Sequence, residues 1–228
     1  MDSQPTTAVN QKFHADGTVR AFPGNTIICF CPPDSHTYEQ VEWLQAEMKK
    51  LPFAHKFGFL PPSSFHMTVM ELLCDQVRVA ERWSAGLSLA APLTEMDAFF
   101  MARVPQIEPP AALRMRFKGI SQWSLALYLE PADEETAVSL RTYRQAVSEK
   151  TAVRFSDHDT YEYHISIAYR LYHLTDAEEA ELESRLRPLS ETLQAQFDLF
   201  QPPPPQLTFF DDMFAFYPVS QRHLLATR

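Results

Sequence analysis

Two short runs in this chain set an imidazole and a hydroxyl two residues apart inside apolar, β-favouring sequence: Phe65-His66-Met67-Thr68-Val69 and Tyr163-His164-Ile165-Ser166-Ile167. Side chains alternate faces along a strand, so each histidine and its hydroxyl partner project the same way, about 7 Å apart. Around the second run the alternation extends further. Tyr161, Tyr163, Ile165, Ile167, Tyr169 and Leu171 form an apolar face, and Glu162, His164, Ser166, Ala168 and Arg170 a polar one. Cleaving a phosphodiester without a metal requires a base for the attacking oxygen, an acid for the departing one, and donors for the phosphoryl oxygens. Two histidines titrating near neutrality can hold opposite protonation states at one pH. The Thr68 and Ser166 hydroxyls can donate to the non-bridging oxygens. The competing account makes both histidines satisfied, partly buried structural residues.

The triplet alone is weak, because His158-Asp159-Thr160 and His173-Leu174-Thr175 match it too. His158 sits in a polar loop, and Thr175 with Glu178 forms a capping box that opens a helix. Only His66 and His164 stand inside apolar β runs. Arg170 shares the polar face of His164, but about 20 Å further along a straight strand, so substrate contact competes with a solvated strand end. Tyr38, Phe65, Trp123, Tyr161 and Tyr163 offer rings that could stack on a base, although core packing is the commoner use of such residues. Cys29 and Cys31 fall on one side of a strand without the further ligands that zinc requires. The five glycines form no phosphate-cradling loop. No metal and no cofactor are expected.

The elements that must carry these residues read as follows. Thr26 to Cys31 is a β run closed by Pro32-Pro33, and Asp34 and Ser35 cap a helix that stops at Pro52. A strand covers Phe65 to Leu72, and helical patterns follow around 77–84 and 94–103. Leu113 to Phe117 and Trp123 to Leu129 are β-like, with Lys118-Gly119-Ile120-Ser121 as their hairpin turn. A helix runs from Asp133 to about Lys150. Tyr161 to Leu171 is the clearest strand of the chain. The capping box opens a helix to about Phe200, ended by Pro202-Pro203-Pro204-Pro205, and β runs at Leu207 to Phe210 and Met213 to Tyr217 come last. This order is α+β. Residues 1–24 read as an irregular N-terminal segment, and residues 25–228 as a single domain of two loosely similar halves, each with a helix followed by a strand bearing one motif.

Composition bounds the partners. The 228 residues, 45% apolar, suffice for a substantial core. The net charge of −9, from 29 acidic and 20 basic residues, argues against long nucleic acid as an obligate partner. A small nucleotide or an RNA end needs only a local pocket and remains compatible with an acidic body. No apolar run approaches the roughly 20 residues of a membrane span. The start, MDSQPTTAVNQKF, lacks a secretory pattern. Three cysteines form no disulfide framework. A cytoplasmic monomer without membrane association is expected.

The two His-x-Thr/Ser runs resemble the paired motifs of the 2H phosphoesterase superfamily: an apolar residue, His, an apolar residue, Thr or Ser, and another apolar residue, present twice. The similarity spans about residues 25 to 218 and includes Phe22-Pro23-Gly24-Asn25-Thr26 before the first strand. It points to a branch separate from the RNA 2',5'-ligase-like and plant cyclic phosphodiesterase branches. The resemblance implies a bilobal fold of two antiparallel sheets with outer helices around a central cleft, related by a pseudo-two-fold axis. It also implies action on 2',3'-cyclic phosphates or related RNA-end and nucleotide phosphodiesters. His66 and His164 would be the catalytic pair, and Thr68 and Ser166 the phosphate-binding hydroxyls, with Ser166 in place of the commoner threonine. Which histidine acts as base is left open. The alternative is a binding module that keeps the cleft and recognises a nucleotide or phospho-ligand without turning it over.

Overall fold

The computed structural model describes residues 4–226. Its larger sheet grows from apolar, β-branched and aromatic runs bounded by prolines and turns. In chain order the elements are β1 Gly24–Phe30, α1 His36–Met48, β2 Phe57–Phe59, β3 His66–Cys74, α2 Leu93–Met101, β4 Met115–Ser121, β5 Ala126–Pro131, α3 Glu134–Thr151, β6 His164–Ser166, β7 Ala168–Arg170, α4 Asp176–Gln196, β8 Gln206–Phe210 and β9 Tyr217–Pro218. Seven strands pair in the order β4-β5-β6-β3-β1-β8-β9, and β2 with β7 makes a separate two-stranded sheet. Every strand pair is antiparallel. The α+β class with two antiparallel sheets and flanking helices is as expected. The seam between β6 and β3 divides the larger sheet into a half built from the middle of the chain and a half built from its two ends.

Helix starts follow the capping chemistry. The Ser35 side chain accepts from the Tyr38 N–H and Asp133 from that of Thr136, while Thr175 and Glu178 form the full capping box of α4. The principal core joins the β1, β3 and β6 apolar faces to the inward stripes of α1, α3 and α4. A second cluster holds Val9, Phe13 and Phe22 against Leu60, Leu171, Phe210 and Met213. The irregular residues 4–23 are therefore packed onto the body, and the Thr6 N–H donates to the Leu171 carbonyl at 2.8 Å.

Several elements differ from the sequence reading. The long strand Tyr161 to Leu171 is two short ones, β6 and β7, which belong to different sheets. At the break, the Ile167 carbonyl accepts from the Leu60 N–H at 3.0 Å and from the buried Gln45 side-chain amide at 2.9 Å. That buried amide also donates to the Leu60 carbonyl at 2.7 Å, so a polar side chain of α1 satisfies backbone groups that an unbroken ladder would have paired. The β4–β5 turn falls at 122–125, with Leu125 at φ 43°. Gly119 sits instead at a register shift within β4. The helix expected near 77–84 is reduced to a 3₁₀ turn at Ala80–Arg82, α4 stops at Gln196, and of the Met213 to Tyr217 run only Tyr217 pairs. The strand β2 was not anticipated, because Phe57-Gly58-Phe59 is too short to show alternation. No helix of the described residues is long and apolar enough to cross a membrane.

Candidate active site

Met67 on β3 pairs with Ile165 on β6. Antiparallel register then sets His66 opposite Ser166 and Thr68 opposite His164, and residues directly opposite point to the same face. Met67 and Ile165 are fully buried, whereas all four flanking side chains are half-buried. The two motifs thus form a two-by-two patch of alternating imidazoles and hydroxyls on one sheet face. The histidines are its diagonal, with backbones about 7–8 Å apart.

Both imidazoles are oriented in the same way. His66 Nδ1 lies 2.6 Å from the Ser64 carbonyl oxygen and His164 Nδ1 lies 2.8 Å from that of Glu162, each two residues upstream. A carbonyl oxygen only accepts, so Nδ1 carries the proton in each ring and Nε2 is left free. The 3₁₀ turn Pro62–Ser64, fixed by the Ser64 hydroxyl donating to the Pro61 carbonyl at 2.8 Å, aims the Ser64 carbonyl at His66. Aromatic rings flank both histidines: Phe216 stands 4.2 Å from His66, and Tyr128, opposite His164 on β5, presents its edge at 5.8 Å. Burial, with a smaller contribution from the neighbouring His164, pushes the His66 imidazole down to about 4, although hydrogen bonding to Ser64 works the other way. His66 is neutral at pH 7.

Beside His66 and Thr68 opens a cavity of about 270 Å³. Phe22, Tyr169, Phe210 and Phe216 supply much of its wall, and Lys12, Asn25 and Glu71 are among its polar groups. His164 and Ser166 do not line it; they continue the same sheet face beyond its edge. The Lys12 Nζ donates to the Tyr169 hydroxyl at 3.3 Å and stands over the Tyr169 ring at 4.4 Å. Burial works against its charge, but Tyr169, Cys74 and Glu71 more than offset that and its pKa is raised. Glu71 is paired with Arg82. Lys12 escaped the sequence reading because nothing in an irregular polar segment marks one lysine as turned inward. Tyr161, one of the rings weighed from the sequence for base stacking, stands 6.3 Å from the His164 ring. Burial holds its phenol well above the ordinary range, and the Thr68 hydroxyl is among its polar neighbours.

The remaining candidates lie elsewhere. Arg170 is carried away from His164 by the break at Ile167 into the smaller sheet, where it is buried, paired with Glu179, bonded to the Gln122 carbonyl at 2.8 Å and set over the Trp123 ring. Phe65 points to the face opposite His66 and is buried, with Tyr38 packed 5.6 Å from it. Neither ring is among those lining the cavity. His158 is buried and its carbonyl accepts from Arg144, while His173 packs near Trp123. Cys29 and Cys31 are buried, and burial pushes the Cys31 thiol up to about 11. Among the described residues no three His, Cys, Asp or Glu side chains are grouped so as to hold a metal ion.

An antiparallel α+β sheet with paired His-x-Thr/Ser strands meeting at its seam defines a two-histidine class of phosphoesterase-like protein. Residues 12–125 match the family model 2H-phosphodiest, described as a domain of unknown function (DUF1868), and the chain belongs to that family. The matched stretch includes His66 and Thr68. Among solved structures the chain is similar to a conserved protein of unknown function, ATU0111, from Agrobacterium tumefaciens str. C58. That likeness has 25% identity, covers 96% of this chain and 93% of that one, and has a TM-score of 0.89. TT0787 of Thermus thermophilus is 13% identical over 87% of this chain and 99% of that one, with a TM-score of 0.46. None of the curated proteins matches the chain.

Proposed function

We propose that the protein is a phosphodiesterase that opens 2',3'-cyclic phosphates, or related nucleotide and RNA-end phosphodiesters, by acid–base catalysis between His66 and His164 without a metal ion. The observation that carries this reading is the matched orientation of the two imidazoles: both Nδ1 atoms donate to carbonyls two residues upstream, and both Nε2 atoms stay free on one sheet face between two hydroxyls. His66, neutral at pH 7, is the base. Its Nε2 takes a proton from water as the water oxygen bonds to phosphorus, and the protonated His164 gives its Nε2 proton to the ribose oxygen as that phosphorus–oxygen bond breaks. One proton enters the pair and one leaves, and the product is a phosphate monoester. Thr68 and Ser166 donate to the non-bridging oxygens, where charge grows in the transition state. The cavity's size, at the lower end of small-molecule sites, suits a single nucleotide better than a polymer.

The test is turnover of the 2',3'-cyclic nucleotides in EDTA, followed by phosphorus NMR. Monoester formation by the wild type, lost in His66→Ala and in His164→Ala, supports the proposal. Activity surviving both substitutions defeats the assignment, and tight binding with no product over hours replaces the enzyme by a binding module.

A further inference from the structure

The patch of four has no dependable positive charge of its own on the cavity side. His66 is neutral there, Thr68 is a hydroxyl, and the nearby Arg82 is neutralised by Glu71. A phosphodiester brings one negative charge, and its transition state adds more; such charge is costly to desolvate without a cation facing it. Lys12 has the matching property. Its ammonium faces the cavity with a phenol and two aromatic rings as its close partners, Tyr169 at 3.3 Å from hydroxyl to Nζ and the Phe22 ring at 5.4 Å. Among the described residues no carboxylate lies within ion-pairing distance of it. Of its three N–H donors one is used. The segment that carries it is held rigidly: Phe13 next to it is fully buried against Tyr169 and Phe214, the Lys12 N–H donates to the Ala8 carbonyl at 3.0 Å, and the Arg20 N–H donates to the Lys12 carbonyl at 2.8 Å. The ammonium is half-buried, with two donors unused and no carboxylate bonded to it, and a substrate phosphate is the partner those donors fit.

We propose that Lys12 is the residue that neutralises the phosphodiester charge in the cavity beside His66, which makes the N-terminal segment part of the substrate site. This rests on the phosphodiesterase reading. The ligand is thereby a phosphodiester whose nucleoside portion is small enough to lie among Phe22, Tyr169 and Phe216. Lys12 tells charged from uncharged ligands, whereas the aromatic wall receives the nucleoside whether or not it carries a phosphate.

The experiment compares wild type, Lys12→Met, which keeps the apolar stem, and Lys12→Arg, which keeps the charge. Calorimetry measures binding of 2',3'-cyclic AMP and of uncharged adenosine, and kinetics measures KM and kcat for 2',3'-cyclic AMP. The expected result is a cyclic AMP affinity lowered on the order of tenfold to a hundredfold in Lys12→Met, with KM raised to match, adenosine binding within about twofold of wild type, and most of the loss recovered in Lys12→Arg. Equal loss for adenosine and the cyclic nucleotide, or no loss for either, overturns the role of Lys12. A wild type that binds 2',3'-cyclic AMP through Lys12 but forms no product leaves this inference standing and removes the catalytic reading. Turnover with an unchanged KM in Lys12→Met does the reverse, and a wild type that neither binds nor cleaves it removes both.

Discussion

Met67 of β3 lies directly across from Ile165 of β6, and both are fully buried. This pairing joins the two halves of the seven-stranded sheet and sets the register of everything beside it. A slip of one residue would turn one motif's imidazole and hydroxyl into the core. The apolar residue between each His and its hydroxyl is thus a registration device, and stability and the proposed chemistry meet at this point.

Ile165→Ala should therefore act on both. Truncating a fully buried isoleucine leaves a cavity at the seam and should cost about 2–5 kcal/mol, read as a lowered urea midpoint. Substrate turnover should fall more than the remaining folded fraction explains, because β6 is only three residues long and is held on both sides by pairs centred on Ile165. A variant that is destabilised but fully active per folded molecule would show that the register does not depend on this contact.

His66 and His164 work as a unit in the proposed mechanism, so their effects should not add. His66→Ala and His164→Ala should each lower kcat by on the order of a hundredfold or more, and the double variant should be little worse than either. Steady-state rates on 2',3'-cyclic AMP give the comparison. Losses that multiply in the double variant would mean independent contributions.

The sequence made this patch legible because its signal is local: His66-Met67-Thr68 and His164-Ile165-Ser166 each lie in one short strand, where period-two alternation decides the facing. The α+β class and the starts of α1, α3 and α4 were legible for the same reason, since Ser35, Asp133 and Thr175 cap their own helices. What was hidden depends on distant residues. The break at Ile167 is stabilised by Gln45, over a hundred positions away, and it removes Arg170 from a face that alternation alone would give it. Lys12 is turned inward by Phe13 packing on Tyr169, which no local pattern announces.

Arg170 should behave as a structural residue. Its guanidinium is buried between Glu179 and the Gln122 carbonyl. Arg170→Met should destabilise by about 2–3 kcal/mol, below the usual cost of breaking a buried pair because Glu179 is partly exposed. KM should be unchanged. A raised KM with unaltered thermal stability would return Arg170 to the substrate site.

The low pKa of His66 gives both rate and stability a definite pH dependence. With the folded value near 4 and the unfolded value near 6.5, the unfolded chain binds a proton that the folded chain refuses. The contribution is complete above about pH 6.5 and is lost progressively as pH falls toward 4. After allowance for partial exposure it is on the order of 2 kcal/mol. Urea unfolding across this range should show a steeper loss of stability for wild type than for His66→Gln. The acidic limb of kcat/KM should likewise lie near pH 4, because His66 stays neutral, and hence a base, down to that point. An acidic limb near 6.5 would contradict the assignment of His66 as base.

Gly58 links the N-terminal segment to the site. It pairs with Tyr169 across the small sheet, and a Cβ added to it would stand 2.9 Å from the Phe13 ring, too close for that ring to remain where it is. Phe13 is fully buried beside Lys12, so it cannot swing outward without carrying the segment with it. Gly58→Ala should cost about 1–3 kcal/mol of stability, as overpacking of a filled core does. It should also raise KM for the cyclic nucleotide while leaving kcat nearly unchanged, since Lys12 is displaced and the β3–β6 patch is not. Thermal unfolding and steady-state kinetics on the same preparation separate the two effects. If KM stays at the wild-type value while stability drops, the segment is packing only, and the proposed role of Lys12 does not depend on where Phe13 holds it.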